Sequence, residues 1–340
     1  MPRKPASSVD EESLRGLQQR GVTSPVLEAR LAYVEAAHLI NHYLKPMVEL
    51  SRVYPRMCNP QASGRLSVSN PPLINFTPNP KYGPHGIQDV VTPDLGMEWA
   101  CFDLDAVEAR LIGCATGDKP DEEVFRRKLD IHTCTGIRML NWEDPPFEPT
   151  KGNLFGEVGR DWCSRVPVPD PPYHEKHPYR TLFKNVRYTG QYCKNEKAMG
   201  IYAVDLGMRK EQLWHFGKLY FESKPWLVAW KRKKWSDCWR THESRTAFGR
   251  RRRLVGARDA VEKEGLNHCI QGTVADIMKQ IIRDVCYTLG CGFVQQSHDG
   301  AKFTFKRGET PMADMKTLVE REWDLWGHKL FIPAAWEVIA

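Results

Sequence analysis

The sequence predicts an α+β fold, and three stretches carry that expectation. Val274, Ile277, Met278, Ile281 and Val285 recur at three- and four-residue spacing along 271–289, so they form the apolar face of a core helix. Directly after it, Gly292–Ser297 and Ala301–Phe305 are β-type runs on either side of His298-Asp299-Gly300, and Asp-Gly between such runs signals a hairpin. A third run, Met97–Phe102, is mostly apolar and reads as a short buried strand. It delivers Asp103 to an amphipathic helix carrying Val107, Leu111 and Ile112.

Composition narrows the class of protein. With 340 residues and 41% hydrophobic content, the chain can bury a sizeable core in one large domain or two to three subdomains. Lys and Arg outnumber Asp and Glu by 49 to 42, and the surplus is local. Lys231-Arg232-Lys233-Lys234, Arg240, Arg245 and Arg250-Arg251-Arg252-Arg253 crowd into one stretch, which suits a polyanionic partner. The ten cysteines contain no Cys-x-x-Cys pair and follow no secretory apolar segment, as expected of reduced thiols in a cytosolic protein. No apolar run approaches the ~18 residues of a membrane span, and the histidines show no zinc-ligand spacing, so membrane and structural-zinc classes drop out.

In chain order, residues 1–20 are polar and read as a loose terminus. From Pro25 the apolar positions Leu27, Leu31, Val34, Ala37, Ile40 and Leu44 predict a long helix that Pro46 kinks or ends. Residues 54–96, rich in Pro, Ser, Asn and Gly, read as an irregular functional connection. Helical periodicity returns over 118–138 and contains Asp130-Ile131-His132-Thr133. Residues 141–178 hold eight prolines with Trp142 and Trp162, which excludes a regular helix and predicts an inserted loop. Further helical patterns cover roughly 179–199, opened by Pro178, and 208–243.

Two groups of residues carry chemistry. Arg180, Lys184, Tyr188 and Tyr192 are spaced by four, so they share one helix face, basic at its start and aromatic at its end. That face suits a triphosphate followed by a sugar or base, and it also suits side chains snorkelling over a core. Asp103 alone reads equally as a helix N-cap, and Asp299-Gly300 as a turn. If the strand ending at Asp103 neighbours the hairpin, the two carboxylates converge and suit a pair of Mg²⁺ ions in phosphoryl transfer.

Seven segments in order resemble the polymerase domain of family A DNA polymerases, the group of bacterial repair polymerase I and certain phage replicases. Ser63-Gly64-Arg65-Leu66-Ser67 with Leu73-Ile74-Asn75 resembles T-G-R-L-S…N-L-Q-N, and Asp103–Arg110 resembles motif A, D-Y-S-Q-I-E-L-R. Asp130-Ile131-His132-Thr133 matches D-I-H-T, and the Arg180–Tyr192 series matches motif B, R-x3-K-x3-F/Y-x3-Y. Thr246–Arg252 resembles T-x-F-G-R-R-R, Asn267–Asp276 resembles N-x3-Q-G-T-A-A-D, and Gln296-Ser297-His298-Asp299 resembles motif C, Q-V-H-D-E.

The resemblance implies a right-hand polymerase fold with an antiparallel palm sheet, helical fingers and a truncated helical thumb. It places the vestigial thumb in 1–62, the palm in 63–125 and 265–340, and the fingers in 126–264 with the 141–178 insert. It implies template-directed addition of deoxynucleotides to a primer 3′ end, with Asp103 and Asp299 as ligands of two Mg²⁺ ions, or Mn²⁺. Lys184 joins them as the acid for pyrophosphate departure. Arg180, Lys184, His132 and Tyr188 would hold the incoming nucleotide, and Glu108 would exclude a ribose 2′-hydroxyl; a tyrosine at 188 implies tolerance of dideoxynucleotides. Arg65, Asn75, Tyr192, Arg110, Arg252, Asn267, Gln271 and His298 would contact primer-template. A short thumb implies a processivity or proofreading protein in trans, and the setting implied is the cytoplasm of a bacterial or phage-infected cell, with an organelle as the alternative. Rival readings are a single-subunit RNA polymerase and a non-catalytic primer-template binding subunit. Departures from the pattern are Leu104 and Ala106 in motif A, Arg187, Thr189 and Cys193 in motif B, and Gly300 for the acid after motif C. With Gly300, a third carboxylate has to come from elsewhere, for which Asp105 is a candidate.

Overall fold

The structure, a computed structural model, describes residues 14, 17, 24–48, 50, 52–58, 63–69, 71–73, 90–139, 178–200, 210–309 and 311–339. The expected N-terminal tail beyond residues 14 and 17, Asn75 and almost all of the 141–178 insert lie outside the described residues. The chain divides into two compact units, Met1–Asn59 with Leu66–Thr92, and Pro60–Arg65 with Pro93–Ala340.

In the first unit, helix α1 (Pro25–Leu39) starts as its sequence predicts. The Ser24 hydroxyl accepts from the Val26 amide and Pro25 occupies the first turn, where its missing N–H costs nothing. A short π-helical turn, Ile40–Leu44, closes the helix before Pro46. The stretch expected to be irregular contains an antiparallel pair, β1 (Arg56–Cys58) and β2 (Ser67–Ser69), with Met57 opposite Val68. Three-residue strands are too short to display a period of two, so periodicity could not find them. Met47, Val68 and Leu73 form the small core here.

The second unit is built on a four-stranded antiparallel sheet in the order β10-β3-β7-β6. Its strands are β3 (Met97–Leu104), β6 (Gly292–Ser297), β7 (Gly300–Lys306) and β10 (Ala334–Ile339). Along β3, Ala100, Phe102 and Leu104 turn into the core, so the two-residue period points Asp103 to the other face. β10 and the hairpin β8 (Glu322–Leu325) and β9 (His328–Phe331) follow α10 (Met312–Val319), and the sequence did not announce them. All three strands are short: β8 alternates exposed and buried but over four residues only, and β9 and β10 show little regular apolar alternation.

The helices are α2 (Val107–Thr116), α3 (Lys119–Arg126), α4 (Ile131–Met139), α5 (Pro178–Tyr192), α6 (Glu196–Met199), α7 (Lys210–Glu222), α8 (Pro225–Thr241) and α9 (Arg258–Leu289). The periodic stretch 118–138 splits at Lys128, whose φ is +57°, and 208–243 splits at Pro225, which opens α8. β4 (Glu243–Arg245) and β5 (Arg251–Arg253) then form a hairpin. α9 begins 13 residues before the predicted start because its first half packs on α8 and that hairpin rather than on the sheet. Gly265 and Gly272 allow that approach, since a Cβ there would meet Cys238 Sγ at 2.5 Å and Thr246 Cγ2 at 2.9 Å. Phe102, Leu111, Val274, Ile277, Ile281 and Phe303 stand for the large core between sheet and helices.

Candidate active site

The hairpin and β3 meet in register, with Asp103 opposite Gly300 and the Leu104 amide donating to the Asp299 carbonyl at 3.0 Å. Asp103 and Asp299, about two hundred positions apart, are thereby set on adjacent strands at one end of the sheet. The turn itself is His298-Asp299, with His298 at φ +50°, and Gly300 already belongs to β7. A Cβ at Gly300 would stand 2.3 Å from the Phe102 carbonyl oxygen and 3.2 Å from Asp103 Oδ1. No side chain fits there in this packing, so the acid missing after Asp299 has no room at that position.

β3 passes into α2 through a sharp turn at Ala106, a left-handed residue with φ +49° that costs about 1 kcal/mol for a non-glycine side chain. Ala106 is the N-cap of α2, so Asp103 does not serve as that cap. The turn aims Glu108 back toward the hairpin. Arg65 bridges the two, donating to Glu108 Oε1 at 2.7 Å and to Asp299 Oδ1 at 3.0 Å. The Tyr192 hydroxyl donates to the other Glu108 oxygen, so both ends of that carboxylate are held. Asp299 remains short of compensation: burial pushes its carboxyl up to about 7, with Arg65 opposing and Glu108 and Asp103 adding to the rise. Burial, then the Glu108 charge, likewise pushes the Tyr188 phenol up to about 12.

A cavity of about 290 Å³ opens beside this corner, lined by Asp103, Asp105, His132, Lys184, Tyr188 and Asp299 among others. Lys184 is exposed on α5 with its Nζ 5.9 Å from the centre of the Tyr188 ring. The buried His132 ring lies 5.6 Å from the same ring. Asp130 fixes α4, and with it His132, by accepting from the Thr133 amide and hydroxyl, both at 2.8 Å. Arg180 sits in the first turn of α5, and its side chain lies outside the described residues.

Other expected residues are placed elsewhere. Arg110 is buried, donating to the Asp105 carboxylate at 2.8 Å and stacked 4.2 Å over Phe125. Arg252 donates to Glu264 at 2.6 Å. Asn267 and Gln271 follow each other by one turn on α9, the former with its Oδ1 buried and lacking a hydrogen-bond partner. His298 is exposed at the turn, its carbonyl accepting from Gln296 at 3.2 Å. Among the described residues no group of three or more His, Cys, Asp or Glu gathers as a metal cage; Asp105 lines the cavity with Asp103 and Asp299, and Arg110 holds it at 2.8 Å.

Residues to which sequence reasoning gave no site role hold these parts in place. Arg250 donates to the Ser63 carbonyl at 2.8 Å and to Asp276 at 2.6 Å, which ties the Arg65 loop to α9. Behind α5, Arg187 donates to Asp121 at 2.7 Å and to the Thr135 hydroxyl at 2.8 Å. Lys224 reaches both Asp118 and Asp121 at 2.8 Å, and Arg138 reaches Asp121 at 3.1 Å. The one available signal was Arg187, where a charged residue stands on the otherwise apolar side of α5.

The fold is that of a right-hand polymerase. It superposes on the POL domain of Pol1 from M. smegmatis in complex with DNA primer-template and dNTP, at a TM-score of 0.73 and 20% identity, covering 99% of this chain and 57% of that one. No protein-family model matches the chain. It is 26% identical over 334 residues to the thermostable DNA polymerase I of Thermus filiformis, covering 92% of this chain and 35% of that protein. The enzyme of Thermus aquaticus is 28% identical over 268 residues, covering 75% and 28%. DNA polymerase I of Chloroflexus aurantiacus is 25% identical over 241 residues, covering 66% and 21%. The chain is homologous to the DNA polymerase I proteins, of family A, over their polymerase region, and spans about a third of the length of the first of these relatives. No described helix is long and apolar enough to cross a membrane.

Proposed function

We propose that this chain adds deoxynucleotides to a primer 3′ end under the direction of a DNA template. The observation that carries this is the convergence of Asp103 and Asp299 in the lining of one cavity that Lys184, His132 and Tyr188 also line. Acidic oxygens together with a cation and an aromatic face fit a nucleoside triphosphate. The proposed layout has the sheet as palm over 63–125 and 265–340, and 126–264 as fingers.

The donor chemistry suits hard divalent cations: two carboxylates converge, and the Asp299 carboxyl is raised by burial and by its acidic neighbours with Arg65 as the counter-charge. Asp103 and Asp299 would hold the ions, which when bound activate the primer hydroxyl and neutralise charge on the departing pyrophosphate. Lys184 and Arg180 bind and orient the phosphates. Lys184 Nζ carries a proton that the leaving pyrophosphate can take. Glu108, held by Arg65 and Tyr192, fills the space a ribose 2′-hydroxyl would need.

Primer extension with dNTPs, run beside Asp103→Ala and Asp299→Ala, tests the proposal. Extension by the natural chain and its loss in both variants is the expected result; no extension under any divalent metal overturns it. Glu108→Ala should raise the use of NTP relative to dNTP by tenfold or more, as expected for ~1.4 kcal/mol of discrimination, and an unchanged ratio would remove Glu108 from sugar selection. A processivity or proofreading protein acting in trans belongs to the same proposal.

A further inference from the structure

Helix α8 carries an outward face that nothing in the proposed reaction uses. Its four tryptophans divide: Trp230 packs toward the core and Trp235 is half-buried, whereas Trp226 and Trp239 are 43% and 38% exposed. Trp226, Lys233 and Arg240 stand seven residues apart on one line of the helix, and Arg232 and Trp239 stand seven apart on a second line roughly 100° round it, so the two indoles mark opposite margins of the exposed arc. At 1.5 Å and 100° per residue, the two indoles are about 20 Å apart along the axis and about 140° apart around it, so a strand touching both crosses the exposed arc obliquely. Arg232, Lys233 and Arg240 are exposed between and beside them, and Arg258 lies 6.0 Å over the Trp239 ring.

The charge of this segment is one-sided. Residues 225–253 hold ten Lys and Arg against Asp237 and Glu243, a surplus that exceeds the net +7 of the whole chain. The helix is also firmly seated from behind, so its outer face is presented as a rigid surface. Lys224 is buried against Asp118 and Asp121, and Lys231 is buried and donates to the carbonyls of Gly190 and Cys193. Cations alone would suit any polyanion. Exposed flat indoles at both ends select one with free π-faces, and the bases of an unpaired strand have them while those of a duplex are stacked on one another.

We infer that the outer face of α8 is a docking surface for single-stranded nucleic acid, with Trp226 and Trp239 stacking on bases and Arg232 and Lys233 pairing with phosphates. The strand is the unpaired template beyond the active site, which rests on the polymerase reading; the binding surface itself stands on the residues of α8.

Fluorescence anisotropy of the full chain with a labelled oligothymidylate and with a short blunt hairpin duplex tests the inference. Trp226→Ala/Trp239→Ala should weaken oligothymidylate binding by roughly tenfold or more, given ~1–3 kcal/mol per stacked base, and leave duplex binding unchanged. Trp226→Phe/Trp239→Phe should restore most of the affinity. Arg232→Gln/Lys233→Gln should flatten the dependence of log K on log salt by about 1.4, from ~0.7 per phosphate contact on a single strand. Unchanged oligothymidylate affinity in the tryptophan variant, or an equal loss on both probes, overturns the inference. Primer extension by the natural chain separates the two claims: its absence would sink the polymerase reading, while the oligothymidylate measurement still decides the surface.

Discussion

Asp121 is fully buried and Asp299 partly so, both are touched by arginine, and their environments move them in opposite directions. Burial alone would raise Asp121, but Arg187, Lys224 and Arg138 overcome it and hold the carboxyl well below the usual range. Burial raises Asp299 to about 7, and there Arg65 is outweighed, with Glu108 and Asp103 pushing the same way as burial. The first cluster has three cations around Asp118 and Asp121 and sits behind α5, where its members satisfy one another. The second has an excess of acid and opens on a cavity. A closed cluster with its charge matched fixes helices, whereas an open one with surplus negative charge is ready for a cation or a substrate. Charge balance and access, rather than residue type, separate structure from chemistry here.

The largest expected effect breaks or confirms that contrast at the open corner. Asp103→Ala should lower primer extension by about a thousandfold or more while leaving the melting temperature nearly unchanged, because Asp103 is an exposed residue. A comparable loss of stability would make the corner structural after all. Next comes the closed cluster. Asp121→Ala should destabilise the fold by about 3–5 kcal/mol in urea unfolding, since Lys224 and Arg187 lose their shared buried partner. Wild-type stability in that variant would mean the cluster is not what anchors α5.

Lys231 is a third case, a buried cation whose hydrogen-bond partners are backbone carbonyls. Burial lowers its ammonium to about 7 against 10.5 in an open chain. Between those values the unfolded chain binds the extra proton, so stability contributed at this site rises with pH from about 7 toward 10 and is lowest below 7. The natural protein should therefore gain on Lys231→Met as pH increases, read from paired denaturation curves at pH 7 and 9. A constant difference would count against a neutral Lys231. The smallest effect belongs to the cavity wall: Tyr188→Phe removes one phenolic oxygen and should cut dideoxynucleotide use severalfold relative to dNTP, by about 1 kcal/mol. Unchanged discrimination would detach Tyr188 from the sugar.

Local patterns made much of the molecule legible. The apolar run that ends at Asp103, the hairpin at Asp299 and the four-residue series on α5 each depend on neighbours in the chain, and each appears where its pattern predicts. β10 was missed although it pairs with β3 from Trp99 to Leu104, with Ala335 opposite Asp103. Its register comes from the sheet it joins, and its own six residues show little of it.

By itself, the sequence determined which residues are available for chemistry and which faces of the main helices and strands they occupy, because periodicity follows from backbone geometry alone. Only the tertiary structure decided who neutralises whom. Arg65 reaching Glu108 and Asp299, Arg250 reaching Ser63, and Lys224 reaching Asp118 and Asp121 join residues from distant parts of the chain. In sequence none of these cations points to its partner: Arg65 reads by resemblance as a primer-template contact, and Arg250 as part of a basic run. Burial strengthens a charge's need for a partner and packing chooses that partner, so their roles exist only once the chain has folded.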